Sequence, residues 1–515
     1  MRYVLDAQEM KQLDAYSIEK TGMPSMVLME RAALCTAERI IEHVHQEGNQ
    51  KSERIIAVCG TGNNGGDAVA CARILHVKGW NVAIMLTGEE ERCSTQTKAQ
   101  LAIARNLGLS IRSNCELSEY TIIIDGIFGI GLNREVASYE AAIIQKINES
   151  DAFRCSIDIP SGIAAGSGHV LGIAVKAHMT VTFGEYKLGL LLFPGAEYAG
   201  KVYVEEIGFA TEALGTIRPA YTMYEKCDIK RIPGRIADSN KGTYGKVLII
   251  AGSKDMTGAA YLSAEAAYRM GCGLVKVLTH PRAAEVIRIR LPEALCDVYT
   301  GKEGENRLKE SLDWADVVAV GPGLSTEPEA VRILKTVLEY TNKPLVLDAD
   351  ALNILAERIN EETENGEGGI KERISCLADK IPNGAIITPH LKELSRLIGV
   401  PLSGIKGNLI DIANECTYNR KLTYVIKDAR TIVAHDKFRY LNVSGNHGMA
   451  VGGSGDVLTG VIAGLLAGGL NSYEAACLGV YIHGLAGDRA ATKMGYYSML
   501  ARDMINALPE VLVER

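Results

Sequence analysis

Short apolar runs of β-forming residues recur along almost the whole chain, most of them ending at a glycine or an acid and alternating with stretches of helical length. Arg54 to Cys59 runs into Gly60-Thr-Gly-Asn-Asn-Gly-Gly-Asp67, and a helix is expected from Ala68 to Lys78. Lys246 to Gly252 leads to a helix over Ala259 to Met270 and a strand over Leu274 to Leu278. Asp316 to Val320 ends at Gly321-Pro-Gly-Leu324, and Pro344 to Asp350, Ala385 to His390 and Thr423 to Lys427 continue the series. Strands with no polar face must be covered on both sides, which predicts doubly wound α/β architecture around mostly parallel sheets. A chain of 515 residues is too long for one core. The mixed segment Phe209 to Gly245, broken by Pro219 and Pro233, places a boundary at 215 to 225 and gives units of 1–215 and 225–515. The two units share no obvious repeat. Acidic, glycine-rich Glu357 to Gly369 reads as a solvated surface loop.

In such sheets the loops beyond the carboxyl ends of the strands line the ligand crevice. Three strand ends in the first unit carry suitable groups: Gly60 to Asp67, Asp125 with Gly126-Ile-Phe-Gly-Ile-Gly-Leu132, and Asp158 with Ile159-Pro-Ser-Gly162. Four glycines, two asparagines and an acid exceed what a tight turn requires, which favours a ligand loop at Gly60 to Asp67. Asn64, Asp125, Asp158 and Ser161 can converge, and oxygen donors of this kind suit a hard cation better than zinc. Asp125 and Asp158 could instead cap following helices. Lys187 could be a surface lysine or a phosphate contact.

In the second unit Met449-Ala-Val-Gly-Gly-Ser-Gly-Asp456 precedes an apolar helical run from Val457 to Leu470. Free N–H groups at such a helix start suit a phosphate. Asp456 would repel that phosphate, so it is either an N-cap or a base facing a substrate hydroxyl. Asp348 and Asp350 could position magnesium or a charge relay, with capping open for Asp350. His390 is a substrate contact or a structural histidine, and Lys427 to Thr431 a nucleotide contact or a charged hairpin.

A net charge of −7 without any lysine–arginine run disfavours nucleic acid and anionic membranes as main partners. Charge at Arg2 and Asp6 lies where a signal peptide needs an apolar core, and the longest apolar run is too short to span a bilayer. Twelve scattered cysteines without Cys-x-x-Cys pairs read as reduced thiols of a cytoplasmic protein.

Together, Gly62-Asn-Asn-Gly-Gly-Asp67, Asp125 to Gly131, Asp158-Ile-Pro-Ser-Gly162 and Thr182-Phe-Gly-Glu-Tyr-Lys187 resemble the NAD(P)HX epimerase family over nearly all of residues 1 to 210. The resemblance implies a Rossmann-like fold that interconverts the R and S hydrates of NADH and NADPH. It implies that Asn63, Asn64, Gly65, Gly66 and Asp67 hold the hydrate together with Gly129, Ile130, Gly131, Leu132, Asn133, Arg134, Glu135 and Asp158. It also implies potassium on Asn64, Asp125 and Ser161. An acid/base must open and close the hydrate; Asp125 and Asp158 are the candidates, with Asp158 taken as catalytic.

From residue 230 onward, Gly242 to Gly252, Thr257-Gly-Ala-Ala260, Gly321-Pro-Gly-Leu324, Thr388-Pro-His390 and Asn446 to Asp456 resemble the NAD(P)HX dehydratases, a branch of the ribokinase-like superfold. Implied is nucleotide-dependent dehydration of the S hydrate, with ADP or ATP and Mg2+. Asp456 would be the catalytic base, with Ala259, Gly323, His390 and Asp456 on the hydrate. Lys427, Asp428, Ala429, Arg430, Thr431, Gly453, Ser454 and Gly455 would hold the nucleotide. The rival reading is a small-molecule kinase, of hydroxymethylpyrimidine or sugar type, fused to a binding module; it would leave a stable phosphorylated product. Apolar helices in both halves make a homo-oligomer the expectation.

Overall fold

The computed structural model describes residues 1–48, 53–301, 303–363, 369–419 and 421–513. It divides into two compact units, Arg2–Ala220 and Tyr221–Arg515.

The first unit is built on seven parallel strands in the order Ser110–Arg112, Asn81–Leu86, Arg54–Cys59, Ile122–Gly126, Phe153–Ile157, Met179–Phe183 and Lys201–Glu205. The period of two along Arg54–Cys59 divides its side chains between two cores. Ile55, Ala57 and Cys59 pack with Ala33, Ala68 and Leu75 of helices Ser25–Glu47 and Asn63–Val77. Ile56 and Val58 pack with Ile143, Ile144 and Ile147 of helix Ser138–Glu149 on the other face. Cover on both faces is why Ile55 to Cys59 are all apolar and buried.

One expectation needs correcting here. The helix expected from Ala68 begins at Asn63, so Asn63 to Asp67 form its first turn rather than a preceding loop. The glycines permit this, because a Cβ on Gly65 would lie 1.9 Å from the Gly60 carbonyl oxygen. The helix therefore starts against the strand end itself, and no side chain caps it.

The second unit carries Leu295–Val298, Leu274–Thr279, Lys246–Ile250, Val317–Val320, Leu345–Leu347, Ile386–Ile387 and Thr423–Ile426 as seven parallel neighbours. Ile432–His435 and Phe438–Leu441 follow as an antiparallel return, and Tyr221–Met223 pairs parallel with the last of these. Helix Ser454–Ala467 crosses helix Thr257–Arg269 so closely that a Cβ on Gly460 would lie 2.1 Å from the Ser263 carbonyl oxygen. Val457 to Leu466 is buried without interruption, which explains a helix apolar all round. Helix Ala501–Val513, which the sequence pattern did not single out, completes this layer beside Ser472–Met494. Glu357 to Glu362 belongs to helix Asp350–Glu362 and is not loop; residues 364–368 of that expected loop lie outside the described residues. No helix among the described residues is long and apolar enough to cross a membrane.

Candidate functional sites

A cavity of about 730 Å³ lies in the first unit over the carboxyl ends of its central strands. Asn63, Asn64, Asp67, Gly129, Ile130, Gly131, Leu132, Asn133, Arg134 and Asp158, all in the set implied by the resemblance, line it. Gly65 and Gly66 are buried in the helix start, and Glu135 lies outside the lining.

The two acid/base candidates, Asp125 and Asp158, stand in different surroundings. Asp125 is fully buried and takes hydrogen bonds from the Ser156 hydroxyl (2.7 Å), the Ser161 amide (2.9 Å) and the Ser161 hydroxyl (2.5 Å). It is not part of the cavity lining, and it caps no helix. Asp158 does face the cavity, from a backbone held at φ 65°. Lys187 is neither a surface lysine nor free for a phosphate. It is 1% exposed and donates to Asp158 Oδ1 at 2.6 Å, Thr182 Oγ1 at 2.8 Å and the Phe183 carbonyl at 2.8 Å. Those three bonds use all the donors of an ammonium.

Two further acids meet Asp158 across the same space. Asp67 is pushed well above the usual carboxylate range by burial and then by Asp158 and Asp14. Asp14, on helix Ala7–Glu19, is raised by burial and then by Asp158. Asp14 carries no motif signal, because a single acid on an amphipathic helix looks like any solvated residue.

Asn64, Asp125 and Ser161 gather around one backbone unit. Asn64 Nδ2 donates to the Phe128 carbonyl at 3.0 Å, and the Phe128 amide donates to Ser161 Oγ at 2.8 Å. Burial raises the Asp125 carboxyl, and the hydrogen bonds from Ser161 and Ser156 oppose it; no ion pair neutralises it among the described residues. An all-oxygen donor set beside an unpaired buried carboxylate fits a hard monovalent cation. No cluster of three His, Cys, Asp or Glu that could hold a metal occurs among the described residues.

The second unit brings most of its predicted residues to one place. Helix Ser454–Ala467 starts after Gly453, at φ 91°, and no side chain caps it. Asp456 lies in the first turn of that helix and is not the N-cap. The leading N–H groups have no acceptor within the helix and carry its positive dipole end. A Cβ on Gly455 would lie 3.3 Å from Lys427 Nζ and 3.8 Å from Asp348 Oδ2. An ammonium and a carboxylate therefore sit directly beneath the glycine loop.

Lys427 Nζ donates to Asp348 Oδ1 at 2.7 Å, and the Thr459 hydroxyl donates to Asp348 Oδ2 at 2.7 Å. Burial alone would raise the Asp348 carboxyl; the adjacent ammonium and these hydrogen bonds bring it below the usual range. Asp456 shows the reverse. Burial, with Asp348 adding to it and Lys427 opposing, pushes its carboxyl up to about 6. Neighbouring acids are thus set apart, one fixed as an anion and one tuned near neutrality.

Asp350 likewise caps nothing: it accepts from the Ser325 amide at 2.8 Å and so ties down the loop after Gly321-Pro-Gly-Leu324. Gly323 approaches Ala259 so that an added Cβ would lie 2.9 Å from the Ala259 Cβ. His390 Nδ1 accepts from the Lys392 and Glu393 amides and caps helix Leu391–Ile398. With Nδ1 committed and its pKa lowered by burial and Lys427, the ring keeps its proton on Nε2. Lys427 and His390 are bridged backbone neighbours, whereas Asp428 and Ala429 are exposed at the hairpin tip. His483, which no motif flagged, is buried in helix Ser472–Met494, hydrogen-bonded to the Ser454 backbone and lowered to about 4 by burial.

A family model described as NAD(P)H-hydrate dehydratase matches residues 247–510, and one described as YjeF-related protein N-terminus matches residues 25–189. The bifunctional NAD(P)H-hydrate repair enzyme Nnr of Moorella thermoacetica is 35% identical over 99% of this chain and 96% of its own length. That of Coxiella burnetii is 32% identical over 98% of both. Among solved structures, the ADP/ATP-dependent NAD(P)H-hydrate dehydratase of Bacillus subtilis, co-crystallized with ATP and Mg2+, is 28% identical over 56% of this chain and 96% of its own, with a TM-score of 0.47. The chain belongs to the family of bifunctional NAD(P)H-hydrate repair enzymes.

Proposed function

We propose that the first unit's cavity epimerises the R and S hydrates of NADH and NADPH, and that the second unit dehydrates the S hydrate at the Gly453–Asp456 helix start, consuming ADP or ATP with Mg2+ as the nucleotide's counter-ion. The observation that carries this is the pairing of an uncapped helix N-terminus with an acid in its first turn tuned to about 6. Hydroxide is a poor leaving group, whereas a phosphorylated hydroxyl departs readily when the ring nitrogen supplies its electron pair. Asp456 takes the hydroxyl proton as the phosphoryl group is transferred, and the N–H groups at Gly453 to Gly455 with Lys427 stabilise the charge on that group. Ala259, Gly323 and His390 position the hydrate, with His390 Nε2–H as a donor. Lys427 to Thr431 and Ser454 face the nucleotide.

In the first unit, Asn63, Asn64, Asp67 and Gly129 to Arg134 embrace the dinucleotide, and Asp158 acts as the base. Potassium on Asn64, Asp125 and Ser161 would supply the positive charge Asp125 lacks. Asn64, Ser161 and Asp125 fix the Ile127–Gly131 loop against the cavity. Having both units in one chain lets the second draw on whichever hydrate forms.

The test is product analysis with S-NADHX and ADP. The expected products are NADH, AMP and orthophosphate in equal amounts. A phosphorylated substrate that persists as product would reinstate a kinase.

A further inference from the structure

We infer that Asp14, on the N-terminal helix Ala7–Glu19 and outside the stretch matched by the family model, is a catalytic acid of the epimerase cavity, delivering the proton that the hydrate's ring nitrogen takes up as the ring opens. This rests on the epimerase reading of that cavity. Three carboxyl groups share the space: Asp14, Asp67 and Asp158. Among the described residues Asp158 alone of the three has an ion-pair partner, Lys187 at 2.6 Å. Like charges in one cavity cannot all ionise, so the ion pair selects Asp158 as the carboxylate and leaves the proton with the others.

The reaction needs such a division. The hydrate carries its hydroxyl on the carbon next to the ring nitrogen. Asp158 takes the hydroxyl proton, the C–O bond becomes a carbonyl, and the C–N bond breaks with its electron pair moving to nitrogen. A second group must protonate that nitrogen. After rotation about the adjacent C–C bond the same transfers run backward onto the other face, so no proton, electron or co-reactant is consumed. Asp67 and Asp14 could both donate. Burial raises both carboxyls; Asp67 lies in the first turn of helix Asn63–Val77, which holds the dinucleotide, whereas Asp14 reaches the cavity from helix Ala7–Glu19 and serves as the donor.

The charged groups sharing the cavity with Asp14 are Lys11 on its own helix, Asp67, Arg134, Glu140, Asp158 and Lys187. The sign of the pH effect follows from the acid form being active: epimerisation slows as pH rises through the elevated Asp14 pKa.

The experiment measures R-to-S conversion of NADHX by the intact chain and by Asp14→Asn, from pH 5 to 9, with dehydration of pure S-NADHX by the same samples reporting on chain integrity. Asp14→Asn is expected to lower epimerisation kcat about 100-fold with KM within about threefold, and to remove the decline at high pH. Asp14→Glu restores part of the rate and the high-pH decline, and dehydration stays at wild-type rate throughout. Wild-type kcat and pH profile in Asp14→Asn would overturn the inference while leaving the epimerase reading intact. A wild-type chain that never interconverts the hydrates would overturn both.

Discussion

Replacing Asp456 with asparagine should cripple dehydration and stabilise the unit that carries it. Burial with Asp348 nearby raises the Asp456 carboxyl from 3.8 to about 6. A raised carboxyl contributes stability only at low pH, and that contribution is lost as pH climbs through the folded value. Each pKa unit is worth about 1.4 kcal/mol, so wild type carries a penalty of about 3 kcal/mol at pH 7.5 and about half of that at pH 5. Asparagine keeps the shape and removes the charge. Thermal or urea unfolding of the second unit should therefore show Asp456→Asn more stable by about 2 to 3 kcal/mol at pH 7.5, with the gain roughly halved at pH 5. Dehydration should fall at least about 100-fold in the same variant, the range expected for a lost general base. A variant that is less stable than wild type at pH 7.5, or that dehydrates S-NADHX at an undiminished rate, would refute the placement of a desolvated catalytic carboxylate here.

Lys187→Met should leave Asp158 without its ion pair in a nearly closed site; a loss of about 3 to 5 kcal/mol in the first unit and of most epimerisation is expected by unfolding and activity assays. Gly455→Ala puts a methyl 3.3 Å from Lys427 Nζ, so the nucleotide KM should rise about tenfold while epimerisation is unchanged, as steady-state kinetics of the two reactions will show. Exchanging potassium for the smaller lithium should slow epimerisation and spare dehydration, which a rate comparison at constant ionic strength measures directly.

Periodicity and glycine punctuation made the sheets legible, because strands covered on both faces cannot conceal their apolar runs. Arg54–Cys59 and Thr423–Ile426 stand where those runs place them. Helix starts were less legible: Asn63 to Asp67 look like loop by composition, yet the close Gly60–Gly65 approach lets them wind into the first turn. Helix Ala501–Val513 has a clear apolar face, but Pro509 and the chain end obscure it. Acids at strand ends announced a site without announcing their roles. Asp125 and Asp158 occupy similar sequence contexts, and only packing tells the buried carboxylate held by Ser156 and Ser161 from the one that faces the cavity. The Lys427–Asp348 ion pair joins residues 79 apart and Lys187 is hidden beneath its strand, so neither partnership leaves a local trace. Asp14 and His483 needed the fold to be noticed at all.

The central claim is that two successive activities reside in one chain. An equilibrated R and S mixture of NADHX, incubated with the intact protein and ADP or ATP and followed by dihydronicotinamide absorbance, tests it most directly. The account predicts recovery of the whole mixture as NADH with at least one of the two nucleotides. Recovery that stops at the S fraction would contradict the epimerase site, and no recovery with either nucleotide would contradict the dehydratase site.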